Sequence, residues 1–310
     1  MWKKELLHPR IRISIYEGGK FMRYEGAVYR PPSEGRSLIV QATIGCSHNK
    51  CSFCNMYKAK QFRMRALEEV IEDLVWARER YGYIEKIFIA DGDALIMPTE
   101  RLITILDKIK ELFSECKSIT VYASPKSILL KTPEELKLLK SKGLAMVYLG
   151  IESGDDEVLL KVNKGATSKE LIQAGRKIKD SGIKLSCTLI SGLGGVENWK
   201  NHALNSAKVI NAIDPDYLGL LTLMTPEDAP IYEEIKRGAL MLLNPREVME
   251  EVYHLVKELD LTNCIFRSNH ASNYAPLAAA LGKEKERLLS DIEGFLAGQN
   301  NFKPEYFRGL

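Results

Sequence analysis

Three cysteines lie within a stretch of nine residues and offer metal-binding chemistry. Cys46, Cys51 and Cys54 form the pattern C-x4-C-x2-C, and an aromatic residue, Phe53, directly precedes the last cysteine. Three thiolates on one loop can bind three irons of a cubic 4Fe–4S cluster and leave the fourth iron open to another ligand. An open iron is typical of an enzyme site rather than of a structural metal clip.

Two other kinds of metal site share part of this pattern. Plant-type ferredoxins use C-x4-C-x2-C with a distant fourth cysteine for a 2Fe–2S cluster, and zinc sites normally add a fourth Cys or His. The remaining cysteines, Cys116, Cys187 and Cys264, are isolated from one another, so a fourth ligand would come from a single distant position. Repeated strand and helix patterns along the chain also disfavour a small β-rich ferredoxin. The open three-cysteine cluster is therefore the preferred interpretation.

The composition shows no strong charge bias. The 310 residues carry a formal net charge of +3 at pH 7, which gives no argument for nucleic acid or an anionic membrane as a partner. Charges at Lys3, Lys4 and Glu5 interrupt the start, and no apolar run approaches the length of about 18 residues that a membrane span needs. Six cysteines in such a chain indicate metal or redox chemistry in the cytoplasm rather than a disulfide framework.

From residue 37 onward, β-branched runs alternate with amphipathic segments. Strands are predicted at 37–44, 85–90, 118–123, 145–151, 184–190, 216–220 and 262–267. Helices are predicted at 66–81, 98–115, 132–142, 167–182, 196–212 and 245–259. This alternation predicts an α/β protein with a parallel sheet covered by helices. Right-handed crossovers favour a partial (β/α)6 barrel of the TIM type over a flat sheet, with the site at the C-terminal strand ends.

The fourth predicted strand shows two distinct faces. Its odd positions, 145 to 151, carry Ala, Val, Leu and Ile, which we expect to face the helices. The even positions are predicted to face the barrel lumen. These lumen residues are Met146, Tyr148, Gly150 and Glu152. Glu152 then lies at the C-terminal rim, where barrel active sites are found.

The pattern divides the chain into three parts. Residues 1–36 are predicted to form an N-terminal hairpin extension, because an alternating run at 10–16 is followed by the turn-like 17–20 and a second run at 21–29. Residues 37–275 form the barrel. Residues 276–310 are predicted to be a C-terminal helix and tail packed on that core.

Three glycine-rich or acidic segments end predicted strands. Residues 90–93 read Ala-Asp-Gly-Asp, residues 150–154 read Gly-Ile-Glu-Ser-Gly, and residues 190–195 read Ile-Ser-Gly-Leu-Gly-Gly. Taken alone, they are compatible with a strand-to-helix turn, a helix-capping acid and a broken dinucleotide-binding loop. The last of these is disfavoured because the segment follows the fifth strand and no separate nucleotide-binding domain is visible.

In this order, the motifs resemble those of the radical S-adenosylmethionine (radical SAM) superfamily. The similarity covers about residues 37–275 and is to the branch whose core is shared by oxygen-independent coproporphyrinogen oxidase and methylthiotransferases. The usual loop in that family is C-x3-C-x2-C, so one extra residue separates Cys46 from Cys51 here. The resemblance implies that Cys46, Cys51 and Cys54 bind a 4Fe–4S cluster whose open iron binds S-adenosylmethionine.

The same resemblance implies a set of S-adenosylmethionine contacts. Gly92 and Asp93 would receive the methionine amino group, although the family often has two glycines before its acid. Glu152 would accept the ribose hydroxyls. The full set is Gly92, Asp93, Ser124, Glu152, Ser153, Gly192, Gly194 and Tyr57. Turn formation is an equal alternative for Ser124, and packing is one for Tyr57.

Polar residues also crowd the end of the last predicted strand. They are Arg267, Asn269, His270, Ser272 and Asn273. Such a group is typical of a pocket for a polar substrate. The alternative is a hydrogen-bonded network that closes the open side of the barrel.

The resemblance implies a radical SAM enzyme. Reductive cleavage of S-adenosylmethionine would give a 5′-deoxyadenosyl radical that abstracts hydrogen from a small polar substrate. A low-potential electron donor, such as a flavodoxin or ferredoxin, is implied because the sequence shows no second cluster motif. The alternative is a non-catalytic iron–sulfur electron-transfer protein or a zinc-binding protein on the same barrel.

Overall fold

One eight-stranded sheet forms the centre of the protein, which a computed structural model describes over residues 22–309. The strands are β1 (Leu38–Gln41), β2 (Thr43–Ile44), β3 (Arg63–Met64), β4 (Lys86–Ala90), β5 (Ser118–Ala123), β6 (Leu144–Glu152), β7 (Lys184–Ser191), β8 (Tyr217–Thr222), β9 (Ile265–Ser268) and β10 (Leu277–Ala280). The helices are α1 (Leu67–Arg80), α2 (Thr99–Leu112), α3 (Pro125–Leu130), α4 (Pro133–Ser141), α5 (Asp156–Lys161), α6 (Ser168–Asp180), α7 (Gly195–Ile213), α8 (Ile231–Lys236), α9 (Pro245–Glu258) and α10 (Leu281–Leu296).

The strand order is that of a partial TIM-like barrel. The main sheet runs β1-β4-β5-β6-β7-β8-β9-β10. From β1 to β9 all neighbours are parallel, and only β10 is antiparallel to its neighbour. Strands β2 and β3 form a separate short ribbon. Because the parallel strands point the same way, the loops that follow them lie at one rim, where barrel sites are found.

The seven predicted strands are all present, with ends within three residues of their predicted limits. The first is divided into β1 and β2 at Ala42, whose backbone N–H donates to the carbonyl of Ala90 and whose carbonyl accepts from Arg65. Strand β10 and the short helices α3, α5 and α8 were not predicted. Each short helix has six residues, too few to show a clear helical period in the sequence.

The two predicted faces of β6 are confirmed. Val147, Leu149 and Ile151 are buried in the large core between sheet and helices. On the opposite face, Tyr148 belongs to a second apolar cluster with Ile39, Phe88 and Ala90, against which Met146 and Tyr122 pack. This second cluster lines the lumen. Alternation along the strand therefore separates the structural core from the inner surface on which a substrate would lie.

The described part of the N-terminal extension lies against the lumen. The first run and turn of the predicted hairpin fall outside residues 22–309, and residues 22–29 contain no strand. Instead, the side chain of Gln41 binds the backbone of Glu25, accepting from its N–H at 2.8 Å and donating to its carbonyl at 3.3 Å. Tyr24 and Val28 pack on the lumen cluster. The segment thus narrows the lumen beside β1.

The C-terminal helix and tail pack on the barrel. The guanidinium of Arg308 lies 4.2 Å from the ring centroid of Tyr274 and donates to the carbonyls of Ser272 and Leu223, at 2.6 and 2.8 Å. The tail therefore holds together the loops after β8 and β9. The sheet itself continues to Ala280, beyond the predicted barrel limit. None of the helices within residues 22–309 is both long and apolar enough to cross a membrane.

Candidate active site

The cysteine loop follows β2 at the C-terminal rim and is held on two sides. The Ser52 N–H donates to the carbonyl of Val162 at 2.9 Å, and the Ser52 carbonyl accepts from the Ile231 N–H at 2.9 Å. Phe53 packs on a small apolar cluster that contains Val158 and Val162. The aromatic residue before the last cysteine is therefore an anchor that fixes the loop against the end of α5.

The longer span between Cys46 and Cys51 is accommodated by Asn49, whose backbone has a left-handed φ of 46°. Asparagine tolerates this conformation better than most residues. Its side-chain amide donates to the carbonyl of Tyr57 at 2.8 Å. Next to it, the His48 ring lies 2.7 Å from the carbonyl of Asn163. These contacts fix the loop, and His48 contributes to its folding rather than to the set of metal ligands.

The three thiols are free and half-buried. Burial raises the pKa of Cys51 to about 11, and the nearby ammonium of Lys164 opposes that rise. Burial also raises the pKa of Cys54, while the backbone N–H of Met56 lowers it. Within residues 22–309, no three His, Cys, Asp or Glu side chains converge on one metal ion, which gives the zinc alternative no support. Three thiols on one loop are the kind of donor set that iron–sulfur clusters use.

A buried hydroxyl beside the thiols also fits a bound group. Tyr57 is 3% exposed, and its hydroxyl has no hydrogen-bond partner among residues 22–309. Burial raises the pKa of Tyr57 well above its usual value, and Cys46 and Cys54 are among the neighbours that raise it further. A Cβ on Gly92 would lie 2.6 Å from the Tyr57 ring. Gly92 is therefore required for Tyr57 to reach the thiols.

Asp93 connects three strand ends at the rim. It is fully buried, and its carboxylate accepts from the Ser124 N–H at 2.9 Å, from the Ser124 hydroxyl at 2.8 Å and from the Ser47 hydroxyl. Ser124 also caps α3. A carboxylate has about four acceptor sites, so a methionine amino group would share Asp93 with these two serines.

A second acid of the same motif, Asp91, was not predicted as a site residue. Its Oδ2 accepts from Lys60 Nζ at 2.7 Å, from Gln41 Nε2 at 2.8 Å and from the Gly45 N–H at 3.0 Å. Burial raises the pKa of Asp91, and the bonds from Lys60 and Gly45 lower it. Lys60 donates as well to the carbonyl of Ala27 at 2.6 Å. The pair fastens the start of the cysteine loop to β4.

Glu152 lies at the end of β6, as predicted, and has a left-handed φ of 65°. Its Oε1 is 3.2 Å from the ammonium of Lys164. Although burial acts against it, the charges of Glu152 and Cys51 raise the pKa of Lys164. A Cβ on Gly150 would lie 2.0 Å from Glu152 Oε1, so this glycine is needed for the pair to form. Lys164 was not predicted as a site residue, although it lies in the segment after the Glu152 motif.

The remaining predicted cofactor residues form the turn after β7 and its support. Gly192 has a φ of 84°, and its N–H donates to the buried carboxylate of Glu251 at 3.0 Å. Ser153 is fully buried, with its hydroxyl 2.8 Å from Nδ1 of His202. Gly194 precedes α7. Gly192 and Gly194 thus lie at the rim, whereas the buried Ser153 side chain contacts His202 beneath the turn.

The predicted substrate residues separate into two groups. Ser272 and Asn273 are buried, and both bond to the protein: Thr222 N–H donates to Ser272 Oγ at 3.3 Å, and Asn273 Nδ2 donates to the Leu220 carbonyl at 2.8 Å. They form the closing network that was the alternative interpretation. Nδ1 of His270 is 2.9 Å from Ser272 Oγ, so His270 adjoins this network. Arg267 and Asn269 are exposed instead.

Part of the chain is similar in sequence to known proteins. The chain is 24% identical over 223 residues to the heme chaperone HemW of Bacillus subtilis (strain 168), which covers 68% of this chain and 56% of that protein. It is 28% identical over 165 residues to a putative methylthiotransferase of Methanocaldococcus jannaschii, covering 50% and 35%. The chain thus spans about half or less of the length of these relatives.

Solved structures show the same fold. The Escherichia coli coproporphyrinogen III oxidase HemN, described as a radical SAM enzyme, superposes with a TM-score of 0.52 at 17% identity, over 72% of this chain and 50% of that one. The Radical SAM superfamily model matches residues 40–204, just over half of the chain, from β1 to α7. Members of this family use a 4Fe–4S cluster and S-adenosylmethionine. The chain therefore belongs to the radical SAM superfamily.

Proposed function

We propose that this protein is an enzyme that cleaves S-adenosylmethionine reductively and uses the radical on a small polar substrate. The observation that carries the proposal is the placement of a carboxylate–ammonium pair, Glu152 and Lys164, beside the cysteine loop. When bound, the cluster and S-adenosylmethionine supply a 5′-deoxyadenosyl radical that abstracts hydrogen. A protein that only carried electrons or zinc would need neither the pair nor the glycine that makes room for it.

The residues at the rim can bind S-adenosylmethionine by charge and shape. Its methionine part carries one ammonium and one carboxylate, which are complementary to the side chains of Glu152 and Lys164. Asp93 retains acceptor capacity for the ammonium or for a ribose hydroxyl. The backbone of Gly192 and Gly194 offers a surface without side chains on which adenine can lie. Cys46, Cys51 and Cys54 are the proposed cluster ligands.

The lumen below the rim excludes water from the reaction. Phe88, Tyr122 and Tyr148 pack edge to face, with ring centroids 5.0 Å apart for the first two and 5.8 Å for the last two. Tyr24 and Val28 from the N-terminal segment cover this cluster. A dry, shaped cavity protects a reactive intermediate from side reactions.

We further propose that an external low-potential donor, such as a flavodoxin or ferredoxin, delivers the electron. No second group of cysteines is present within residues 22–309; Cys116, Cys187 and Cys264 lie apart from the rim loop, and the last two are buried. The cytoplasm is the proposed location, because thiols remain reduced there.

Anaerobic reconstitution tests the proposal. The wild-type protein with iron, sulfide, dithionite and S-adenosylmethionine should yield 5′-deoxyadenosine, measured by mass spectrometry. Cys46→Ala should lose both 4Fe–4S assembly and the product, whereas Cys187→Ala, in the core, should retain the iron. A cluster that assembles while S-adenosylmethionine does not bind would support the electron carrier instead. Wild-type iron content in Cys46→Ala would show that the ligand set is misassigned.

A further inference from the structure

The side chain of Arg267, on the inner face of the sheet, has no hydrogen-bond or ion-pair partner within residues 22–309. Arg267 is the third residue of β9, next to the C-terminal end of the strand, and it is exposed. Its neighbour Phe266 is buried in the core between sheet and helices, so alternation places Arg267 on the opposite, lumen face. Within residues 22–309, the Arg267 guanidinium makes no hydrogen bond or ion pair; the ion pairs of the rim belong to other residues.

Few charged residues share this face. By the same alternation, the charged residues of the main sheet that face the lumen are Lys86, Lys184 and Arg267, and Glu152 follows a shift of register at the rim end of β6. The two lysines begin their strands and lie at the far end from the cysteine loop. Glu152 is paired with Lys164. Among these residues of the main sheet, Arg267 is thus the charge at the rim end that has no ion-pair partner within residues 22–309.

The residues beside Arg267 leave room for a ligand. In the sheet register Arg267 lies between Gly219 of β8 and Ala278 of β10, and Gly219 lies beside Thr188 of β7. A Cβ on Gly219 would lie 4.0 Å from the Thr188 hydroxyl, with no closer side chain. Because β8 lies between them, the backbones of Thr188 and Arg267 are separated by two strand spacings of about 4.8 Å each. Gly219 contributes no side chain to the gap between them. The Arg267 guanidinium lies at one side of this gap and the Thr188 hydroxyl lies at the other.

We propose that this gap binds an anionic group of the substrate, a carboxylate or a phosphate, which accepts from Arg267 and from Thr188. The proposal rests on the proposed function, and it specifies the charge of the substrate. Guanidinium presents a planar fork of donors that matches either anion in a bidentate manner. An exposed guanidinium on the lumen face, with no ion-pair partner within residues 22–309, is complementary to an anion.

The next row of side chains on the lumen face indicates the chemistry of the rest of the ligand, beyond its anionic group. One step from Arg267 towards the strand starts, the register aligns Tyr148 with Ser186, Ser186 with Tyr217 and Tyr217 with Ile265. Two aromatic rings and an aliphatic side chain make this row largely apolar, while its polar groups are the Ser186 hydroxyl and the two tyrosine hydroxyls, of which that of Tyr148 donates to Glu34. An anion attached to an apolar or ring-shaped body therefore suits this wall better than a compact inorganic ion.

Benzoate, phenyl phosphate and benzamide are suitable probes, because they share one ring and differ in the head group. Their binding to the anaerobically reconstituted full chain can be measured by calorimetry for the wild type, Arg267→Gln, Arg267→Lys and the control Arg36→Gln. Arg36 is exposed before β1, at the opposite end of the barrel, and its side chain likewise makes no hydrogen bond or ion pair within residues 22–309. The ratio of the benzoate and phenyl phosphate affinities tells which anion the gap prefers.

The wild type should bind at least one anion, and Arg267→Gln should weaken that binding about tenfold or more, as expected for a lost charged hydrogen bond. Arg267→Lys should be intermediate, and Arg36→Gln should equal the wild type. Absence of anion binding in the wild type, equal affinity in Arg267→Gln, or an equal loss in Arg36→Gln would overturn the proposal. Formation of 5′-deoxyadenosine by the wild type is a separate readout: its failure alongside Arg267-dependent anion binding would count against the proposed chemistry alone.

Discussion

Two lysine–carboxylate pairs lie at the same rim of the barrel, and they differ in how many other partners they have. In the first pair, Asp91 accepts from Lys60 at 2.7 Å and from two further donors, while Lys60 also donates to a backbone carbonyl. In the second, the side chains of Glu152 and Lys164 meet at 3.2 Å, and neither side chain makes another hydrogen bond within residues 22–309. In the first pair, Asp91 Oδ2 has three donors and Lys60 has a second acceptor, although the buried Asp91 Oδ1 has no donor within residues 22–309. In the second, each side chain has a single hydrogen bond.

The difference separates a structural role from a binding role. The side chain of Asp91 is 0% exposed and that of Lys60 7%, against 13% for Glu152 and 10% for Lys164. Both pairs are thus largely removed from solvent, so burial alone does not distinguish them. The second pair differs in that both of its members, the Lys164 ammonium and the Glu152 carboxylate, have unused hydrogen-bonding capacity beside the cysteine loop, as a zwitterionic ligand needs.

The largest expected effect is a loss of protein stability when the Lys60–Asp91 pair is broken. Lys60→Met removes the counter-charge and leaves the Asp91 carboxylate buried, which typically costs about 3–5 kcal/mol. Chemical denaturation of the metal-free protein should show this loss of unfolding free energy. Lys164→Met is the matched control, and we expect a clearly smaller loss there. Equal losses in the two variants would remove the distinction between the pairs.

The second prediction concerns ligand affinity. Glu152→Gln keeps the shape of the side chain but removes its charge, so S-adenosylmethionine should bind about tenfold more weakly, a change of roughly 1.4 kcal/mol. Iron content should equal that of the wild type, because the three cysteines are unchanged. Equilibrium binding to the reconstituted protein measures the first quantity, and iron analysis measures the second. Unchanged affinity would remove Glu152 from the cofactor site.

The sequence predicts the strands and helices of the barrel better than it predicts which side chains form pairs at the rim. The alternation in β6 placed Tyr148 on the lumen face, because the period of a strand depends only on local geometry. Glu152 follows a shift of register after Gly150, which the alternation does not predict. Lys60 and Asp91 are 31 residues apart, and their contact exists only after the loop has returned to β4. No local pattern indicates such a partner.

The same limit applies to polar residues at strand ends. Ser272 and Asn273 resembled Arg267 as pocket candidates, since all three follow one apolar run. In the structure, Ser272 and Asn273 bond to the backbone of β8, whereas the side chain of Arg267 has no partner within residues 22–309. Which residue finds a partner therefore depends on another strand. Asn49 is a further case: a left-handed asparagine accommodates the longer cysteine loop, and the loop length alone does not show which residue adopts that conformation.

The smallest expected effect comes from exchanging one cation for another. In Lys164→Arg the charge remains, and because the native contact is one bond of 3.2 Å with donors to spare, we expect S-adenosylmethionine affinity within about threefold of the wild type, a change below roughly 1 kcal/mol. In Lys60→Arg the surroundings are tighter: a Cβ on Gly26 would lie 3.0 Å from Lys60 Cε, and one on Gly45 3.2 Å from Lys60 Cβ.

A larger guanidinium beside those backbones should therefore cost about 1–3 kcal/mol of unfolding free energy through overpacking. Denaturation of both arginine variants, with S-adenosylmethionine affinity measured in parallel, checks the contrast. If Lys60→Arg is tolerated while Lys164→Arg loses the cofactor, the second pair is the closely fitted one. The unused donors of Lys164 would then be a consequence of geometry rather than a sign of binding.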